Sequence, residues 1–151
     1  MLDKNYKYKI DIFKSLTNME KHYLCPMGKL EKVSDQYFVS NRVLFDEEQP
    51  IAFEECMLVG NDKYPYIALA IKKKYRHQGL ANKLIQLAIE DIEKTKYRAI
   101  FYCGVDKRNK ASIHVAKRNG AIKYHETDKN ISFIIFVRER KNQNGAGFIR
   151  Y

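Results

Sequence analysis

Two hydrophobic periods alternate along this chain, and they divide it into short strands and amphipathic helices. Residues 6–13 set Tyr6, Tyr8, Ile10 and Ile12 against Lys7, Lys9 and Asp11. A period of two predicts a half-buried or edge strand. Residues 15–24 carry Leu16, Met19, Tyr23 and Leu24 at helical spacing. Thr17 and Glu20 have the spacing of a capping box, and Pro26 ends that helix. Residues 27–40 mix both patterns and read as a short helix and a loop. Residues 42–47 and 51–59 then predict two strands around Asp46-Glu47-Glu48-Gln49-Pro50, and Gly60-Asn61-Asp62-Lys63 reads as a turn. Residues 66–71, Tyr-Ile-Ala-Leu-Ala-Ile, form an apolar run short enough for a buried strand. After a basic turn, Leu80, Ala81, Leu84, Ile85, Leu87, Ala88, Ile89 and Ile92 make the broad stripe of a helix packed on a sheet.

The second half repeats that alternation. Residues 99–105 predict an apolar strand. Asn109 is placed to cap a helix running through Arg118, with Gly120 as its stop. Residues 122–127 and 131–138 predict a last strand pair around Asp128-Lys129-Asn130. The expected order is β-α-(α)-β-β-β-α-β-α-β-β, which implies a mixed α/β sheet with helices on both faces. No repeat, linker or low-complexity tract interrupts it. The chain of 151 residues fits one domain spanning 1–151.

Composition narrows the class further. A hydrophobic content of 45% is that of a globular chain. The net charge of +10 comes from lysine spread along the whole chain, which favours anionic ligands without specifying a fold. Cys25, Cys56 and Cys103 are far apart and odd in number, so a full disulfide framework is excluded and no metal site is expected. The charged N-terminus and the lack of an apolar run of transmembrane length lead to the expectation of a cytoplasmic protein with no membrane partner.

The turn between the central strand and the long helix carries the candidate chemistry. A strand turning directly into a helix aims free N–H groups outward, and the helix dipole adds about half a positive charge. Such an end binds phosphate oxygens, and Gly79, lacking a Cβ, lets an anion approach closely. The spacing is neither Gly-x-Gly-x-x-Gly nor Gly-x-x-x-x-Gly-Lys-Ser/Thr. Arg76-x-x-Gly79-x-Ala81 instead resembles the pyrophosphate loop of the GNAT superfamily of N-acetyltransferases, Gln/Arg-x-x-Gly-x-Gly/Ala. Asn109, Ser112, Gly120 and Ala121 resemble that family's second conserved region, in the right order. The resemblance covers the chain from about Tyr6 to Arg138.

The resemblance implies a mixed, mostly antiparallel α+β sheet of about six or seven strands, and acetyl-CoA as cosubstrate. It implies that the backbone of Leu69, Ala70 and Ile71 pairs with the pantetheine. It places the pyrophosphate on the N–H groups of His77, Gln78, Gly79, Leu80, Ala81 and Asn82, beside Arg76. Asn109 and Ser112 would flank the pantetheine or phosphate arm, and for Asn109 this adds to its capping role. Lys72 to Lys74, Lys107 and Arg108 would add charge near the adenosine phosphates.

Acetyl transfer also needs groups that move protons. The helix position at which many members of the family carry a tyrosine is Ala116, and a position used for glutamate is Gly104. Neither role transfers. Pairing Val59 with Tyr64 across the turn sets Glu54 opposite Leu69, so Glu54 is the candidate base, and a slip of one residue would substitute Glu55. Tyr66 and Tyr102 are alternative acids. Cys103 is placed near the cofactor thiol, and His114 lies off the tyrosine position.

The function expected is acetyl transfer from acetyl-CoA to a primary amine of a small molecule or protein. An acyl-CoA-binding domain with little turnover is the alternative. A basic nucleic-acid-binding domain ranks last, because the lysines are dispersed and no recognised motif accompanies them. The partners expected are acetyl-CoA and an amine, with a second copy of the chain as a further candidate.

Overall fold

A computed structural model of the chain describes residues 4–23 and 36–137. Its elements are α1 (Tyr6–Lys14), α2 (Asn18–Tyr23), β1 (Gln36–Asp46), β2 (Gln49–Val59), β3 (Tyr66–Ile71), α3 (Leu80–Glu93), β4 (Ala99–Asp106), α4 (Lys110–Arg118), β5 (Ile122–Glu126) and β6 (Asn130–Phe136). The strands form one six-stranded sheet in the order β1-β2-β3-β4-β6-β5. Every neighbouring pair is antiparallel except β3 and β4, which run parallel.

The first element differs from expectation. Residues 6–13 are helical, not a strand. The alternating pattern also places Tyr6, Ile10 and Phe13 on one helical face, around buried Ile12 and Leu16. Lys9 misled the period-two reading, because it is fully buried rather than solvated. Its Nζ lies 2.9 Å from Glu55 Oε2 and over the Phe38 ring. A lysine paired in this way belongs to the apolar face, which sequence spacing alone does not reveal. The predicted capping box at α2 is present: Thr17 N donates to Glu20 Oε2 and Glu20 N to Thr17 Oγ1. Pro26 and the predicted short helix lie outside the described residues, as do Cys25 and the end of the last strand at Arg138.

Strand β1 begins at Gln36, earlier than the predicted 42. Ser40, Asn41 and Arg42 break its apolar pattern, yet they pair with Cys56, Glu55 and Glu54 of β2. Ser40 and Arg42 are held inside by charge partners instead of apolar ones.

Alternation along β2 decides what each face meets. Phe53 packs against Ile12 and Leu16 on the side of α1. Ala52 packs against Leu84, and Cys56 against Ile85, Ala88 and Ile92, on the side of α3. The stripe predicted for α3 is buried at Leu84, Ile85, Ala88 and Ile92. Truncating one of the isoleucines to alanine would cost about 2–5 kcal/mol. Ala116 brings α4 into the same core cluster. Helices therefore cover both faces of the sheet, as the predicted order of elements implies. Among the described residues no helix is long and apolar enough to cross a membrane.

Candidate active site

The site is built where two parallel strands part. β3 and β4 pair only at Tyr66↔Phe101, reinforced by Phe101 N donating to Pro65 O at 2.8 Å. Beyond that point β4 keeps its register with β6 only by way of a bulge between Tyr102 and Val105. Gly104 lies in the left-handed region (φ 66°), and its N–H donates to Ser132 Oγ instead of a backbone carbonyl. A bulge bends and twists its strand, which accounts for the divergence of β4 from β3. The other edge of β3 remains tied to β2 from Met57↔Tyr66 to Ala52↔Ile71.

The opening is a cavity of about 650 Å³. Leu69, Ala70, Ile71, Arg76, His77, Gly79, Leu80, Ala81, Asn82, Asn109 and Ser112 line it, so all the predicted cofactor residues except Gln78 come together there. Sequence reasoning did not assign Leu16, Glu20, Gly104, Lys110 and Arg118, which also line it. Nothing in the sequence marks them, because they reach the cavity from α2, β4, α4 and the link between α1 and α2.

The turn after β3 supplies the cavity's polar end. A 3₁₀ turn over Lys73–Tyr75 leads to an extended Arg76, then to His77 and Gly79 with φ of 62° and 80°. Two left-handed residues so close together turn the chain sharply into α3. A left-handed histidine is uncommon, and Gly79 adopts the conformation without steric cost. The N-terminus of α3 has no side-chain cap. At α4, Asn109 Oδ1 accepts from Ser112 N at 3.2 Å, as its capping role predicts.

Charge is distributed differently from expectation. Lys72 pairs with Asp11, Lys107 with Glu126 and Arg108 with Asp106, so those cations are engaged elsewhere. Arg76 donates to Ile71 O at 2.9 Å and pairs with Glu20 of α2. Glu20 is the carboxylate bordering the cavity. Burial raises its pKa, but the Arg76 and Thr17 hydrogen bonds and the Arg76 charge outweigh that and hold it below the usual carboxylate range.

Glu54 is opposite Leu69, in the register the hairpin argument requires, but it does not border the cavity. Its side chain is fully buried toward α3. Oε1 accepts from Ser40 Oγ and Arg42 Nε, each at 2.9 Å, and Arg42 also pairs with Asp91 of α3. Oε2 is buried without a hydrogen-bond partner among the described residues. Burial raises the Glu54 pKa, against the pull of Arg42 and Ser40. The pairing argument fixed the strand partner, and it is the side-chain direction on that strand that takes the carboxylate away from the cavity. Glu55, the alternative by register slip, points to the opposite face and is buried on Lys9.

Four polar side chains stand around the region where the strands part. Tyr102 is buried at the cavity wall, which Ser112 also lines, and burial raises its pKa. Cys103 lines the cavity, and its Sγ is 3.0 Å from Tyr124 Oη. Burial pushes the Cys103 thiol up, which keeps it protonated. His114 is exposed at the rim. Tyr66 is half-buried beside Phe101. Among the described residues no group of His, Cys, Asp and Glu side chains could hold a metal ion.

The chain is thus a mixed α+β sheet that parts between β3 and β4 beside the uncapped N-terminus of α3. The model of the acetyltransferase (GNAT) family matches residues 6–121, and the chain belongs to that family. No curated protein matches it significantly in sequence. Among solved structures, the chain is similar to a GNAT-family acetyltransferase from Streptococcus pneumoniae, with TM-score 0.66 and 15% identity over 89% of this chain and 94% of that one. It is similar to the ribosomal-protein-S18-alanine N-acetyltransferase from Escherichia coli, with TM-score 0.70 and 16% identity over 95% and 94% of the two chains. A third is the PaiA N-acetyltransferase from Thermoplasma acidophilum in complex with coenzyme A, with TM-score 0.64 and 13% identity over 88% and 93%. At these identities the likeness establishes the fold.

Proposed function

We propose that this chain is a single-domain N-acetyltransferase that transfers the acetyl group of acetyl-CoA to a primary amine. The observation that carries the reading is the cleft between β3 and β4, which runs into the uncapped N-terminus of α3 at Gly79. The fit to coenzyme A is chemical at both ends. The parted edge of β3 at Leu69, Ala70 and Ile71 offers backbone groups to the pantetheine amides, as an added strand would. The N–H groups of His77 to Asn82 and the positive end of α3 suit a pyrophosphate. Lys110 and Arg118, both at the cavity, add charge for the remaining phosphate. Asn109 spends its Oδ1 on the helix cap and keeps its amide donor for the ligand.

The residues of this chain then have stated tasks. The β3 edge and the bulge at Gly104 hold the strands apart so that the thioester reaches the point where they meet. Tyr102, the tyrosine that borders the cavity among the described residues, is the proton donor to the leaving thiolate in this reading. Glu54 has no part in proton transfer. It holds β1, β2 and α3 together through Arg42. The amine loses its proton to water or to a base that borders the cavity, and Glu20, held low by Arg76, is a weak one.

Two measurements test the reading. Calorimetry should show saturable acetyl-CoA binding, and thiol release across a panel of primary amines should find an acceptor. Thermal stabilisation by acetyl-CoA, without comparable salt-sensitive stabilisation by DNA or RNA, separates the transferase from a nucleic-acid-binding domain. Binding without thiol release from any amine would favour the acyl-CoA-binding alternative. No binding would overturn the reading.

A further inference from the structure

Two ion pairs fasten the helices that precede the sheet to the turn after β3. Lys72 Nζ lies 3.0 Å from Asp11 Oδ2 of α1, and Arg76 pairs with Glu20 Oε1 of α2. Leu16, in the link between α1 and α2, packs with Ile12, Phe53 and Ala70 and also borders the cavity. Leu16 and Glu20 thus give the cleft a wall that is clasped to the turn entering α3.

The two clasps differ in place. Arg76 and Glu20 both border the cavity, and Lys72 and Asp11 do not. The aim of the Arg76 side chain is fixed, because Nε donates to Ile71 O at 2.9 Å and Nη1 is left to meet Glu20. Glu20 is fixed as well. Its Oε2 accepts from Thr17 N at 2.7 Å, and its own N–H donates to Thr17 Oγ1, so the carboxylate that caps α2 also holds the guanidinium. Gly79, at the open end of α3, borders the same cavity. A guanidinium beside an open helix N-terminus suits a phosphate oxygen, and here a carboxylate of the chain itself is on it. A diphosphate arriving at the helix end meets the Glu20 charge at that guanidinium, and two anions in a partly buried site repel one another.

We propose that the Glu20–Arg76 pair is a clasp exchanged for the cofactor: the pyrophosphate of coenzyme A takes the guanidinium, and Glu20 with α2 is released from the phosphate turn. The inference rests on the acetyl-transfer reading for the identity of the diphosphate carrier. A ligand shifts such an equilibrium only through a contact that differs between the two states, and the Arg76 guanidinium is that contact. The side chains of Arg76 and Glu20 are 29% and 25% exposed, and an ion pair so placed is weak enough to be exchanged. The state of the phosphate end is thereby passed to the wall of the cleft.

Glu20→Gln keeps the capping box and removes the charge, which makes it the probe. With Arg76→Gln and the double variant it forms a cycle, read by thermal unfolding without ligand and at saturating coenzyme A. The two substitutions should be coupled in the empty protein, and the coupling should vanish in the loaded one. In calorimetry Glu20→Gln should tighten coenzyme A a few-fold, and it should change nothing in the Arg76→Gln background. Amide exchange at Lys21, whose N–H donates to Thr17 O, should quicken on loading. A pair with a structural role alone keeps the same coupling in both states. That outcome, or a gain from Glu20→Gln that persists without Arg76, overturns the clasp. Inorganic pyrophosphate separates this inference from the reading it rests on. If coenzyme A fails to bind but pyrophosphate binds with the same dependence on Glu20 and Arg76, the clasp stands and the acetyl-transfer reading falls. If neither binds, both fall.

Discussion

Two helices begin at the same cleft, and they treat their first turns in opposite ways. α4 satisfies its own N-terminus, with Asn109 Oδ1 bonded to Ser112 N. α3 has no side-chain cap, and it starts from a left-handed Gly79 beside a left-handed His77. The first turn of any helix holds N–H groups without intrahelical partners, and a capping side chain is worth about 1 kcal/mol. α3 forgoes that stabilisation at the one of the two ends that faces the loop of the phosphate-binding pattern. It is compensated at its far end, where Asp91 is tied through Arg42 to Glu54, and along its length by four buried apolar residues. An open helix end is held in place by packing elsewhere in the same helix.

The largest effect should come from closing the open end. Gly79→Glu adds negative charge where the helix receives phosphate and should weaken acetyl-CoA binding by at least about 1000-fold, about 4 kcal/mol in calorimetry. A Cβ at Gly79 meets no protein atom within 4 Å, so the side chain itself does not clash with the fold and the loss is read at the ligand. Gly79→Ala supplies the control, costing about 1 kcal/mol of stability for its positive φ. If the glutamate variant binds like wild type while folded, α3 is not the phosphate end.

Next in size is the anchor at the other end of α3. Arg42→Met leaves Glu54 buried without its cation and should cost about 3 kcal/mol in denaturant unfolding. The sign with pH follows from burial. Glu54 already has a raised pKa in the fold, so the folded state holds its proton more tightly than the unfolded chain does. Stability then falls as pH rises through that folded pKa, and loss of Arg42 should steepen the fall. Glu54→Gln should leave acetyl-CoA affinity unchanged.

At the capped end, Asn109→Ala should cost about 1 kcal/mol of stability and reduce acetyl-CoA affinity severalfold. Asn109→Asp should keep the cap yet still weaken binding, by repelling phosphate. Preserved affinity in the aspartate variant would leave Asn109 a cap only.

The smallest effect concerns the carboxylate that engages Arg76. Arg76 holds Glu20 below the usual carboxylate range, so its stabilisation is present above the unfolded pKa and is lost as pH falls through the folded pKa. Glu20→Gln should remove that acid-sensitive part, less than about 1 kcal/mol for a partly exposed pair, and tighten acetyl-CoA binding a few-fold by freeing the guanidinium. Both are read from thermal melts and titrations at pH 3 to 7.

Past residue 49, the sequence by itself determined the elements with strong periodicity and clear punctuation. The strand at 66–71, the helix from Leu80, the Asn109 cap and the hairpin register that sets Glu54 opposite Leu69 are all local or nearly local properties. Spacing, turn chemistry and helix capping act over a few residues, so they can be read directly. What only the tertiary structure decided depends on partners far along the chain. Lys9 is inside because Glu55 is there to meet it, which turns an alternating stretch into a helix face. Ser40 and Arg42 extend β1 because Glu54 and Asp91 face them. Glu54 faces α3 and not the cavity because the pleat, fixed by Phe53 against α1, alternates there. Glu20, Lys110 and Arg118 reach the cleft through contacts between elements distant in sequence. Burial of charge and convergence on a site are non-local sums of many contacts, and no window of sequence contains them.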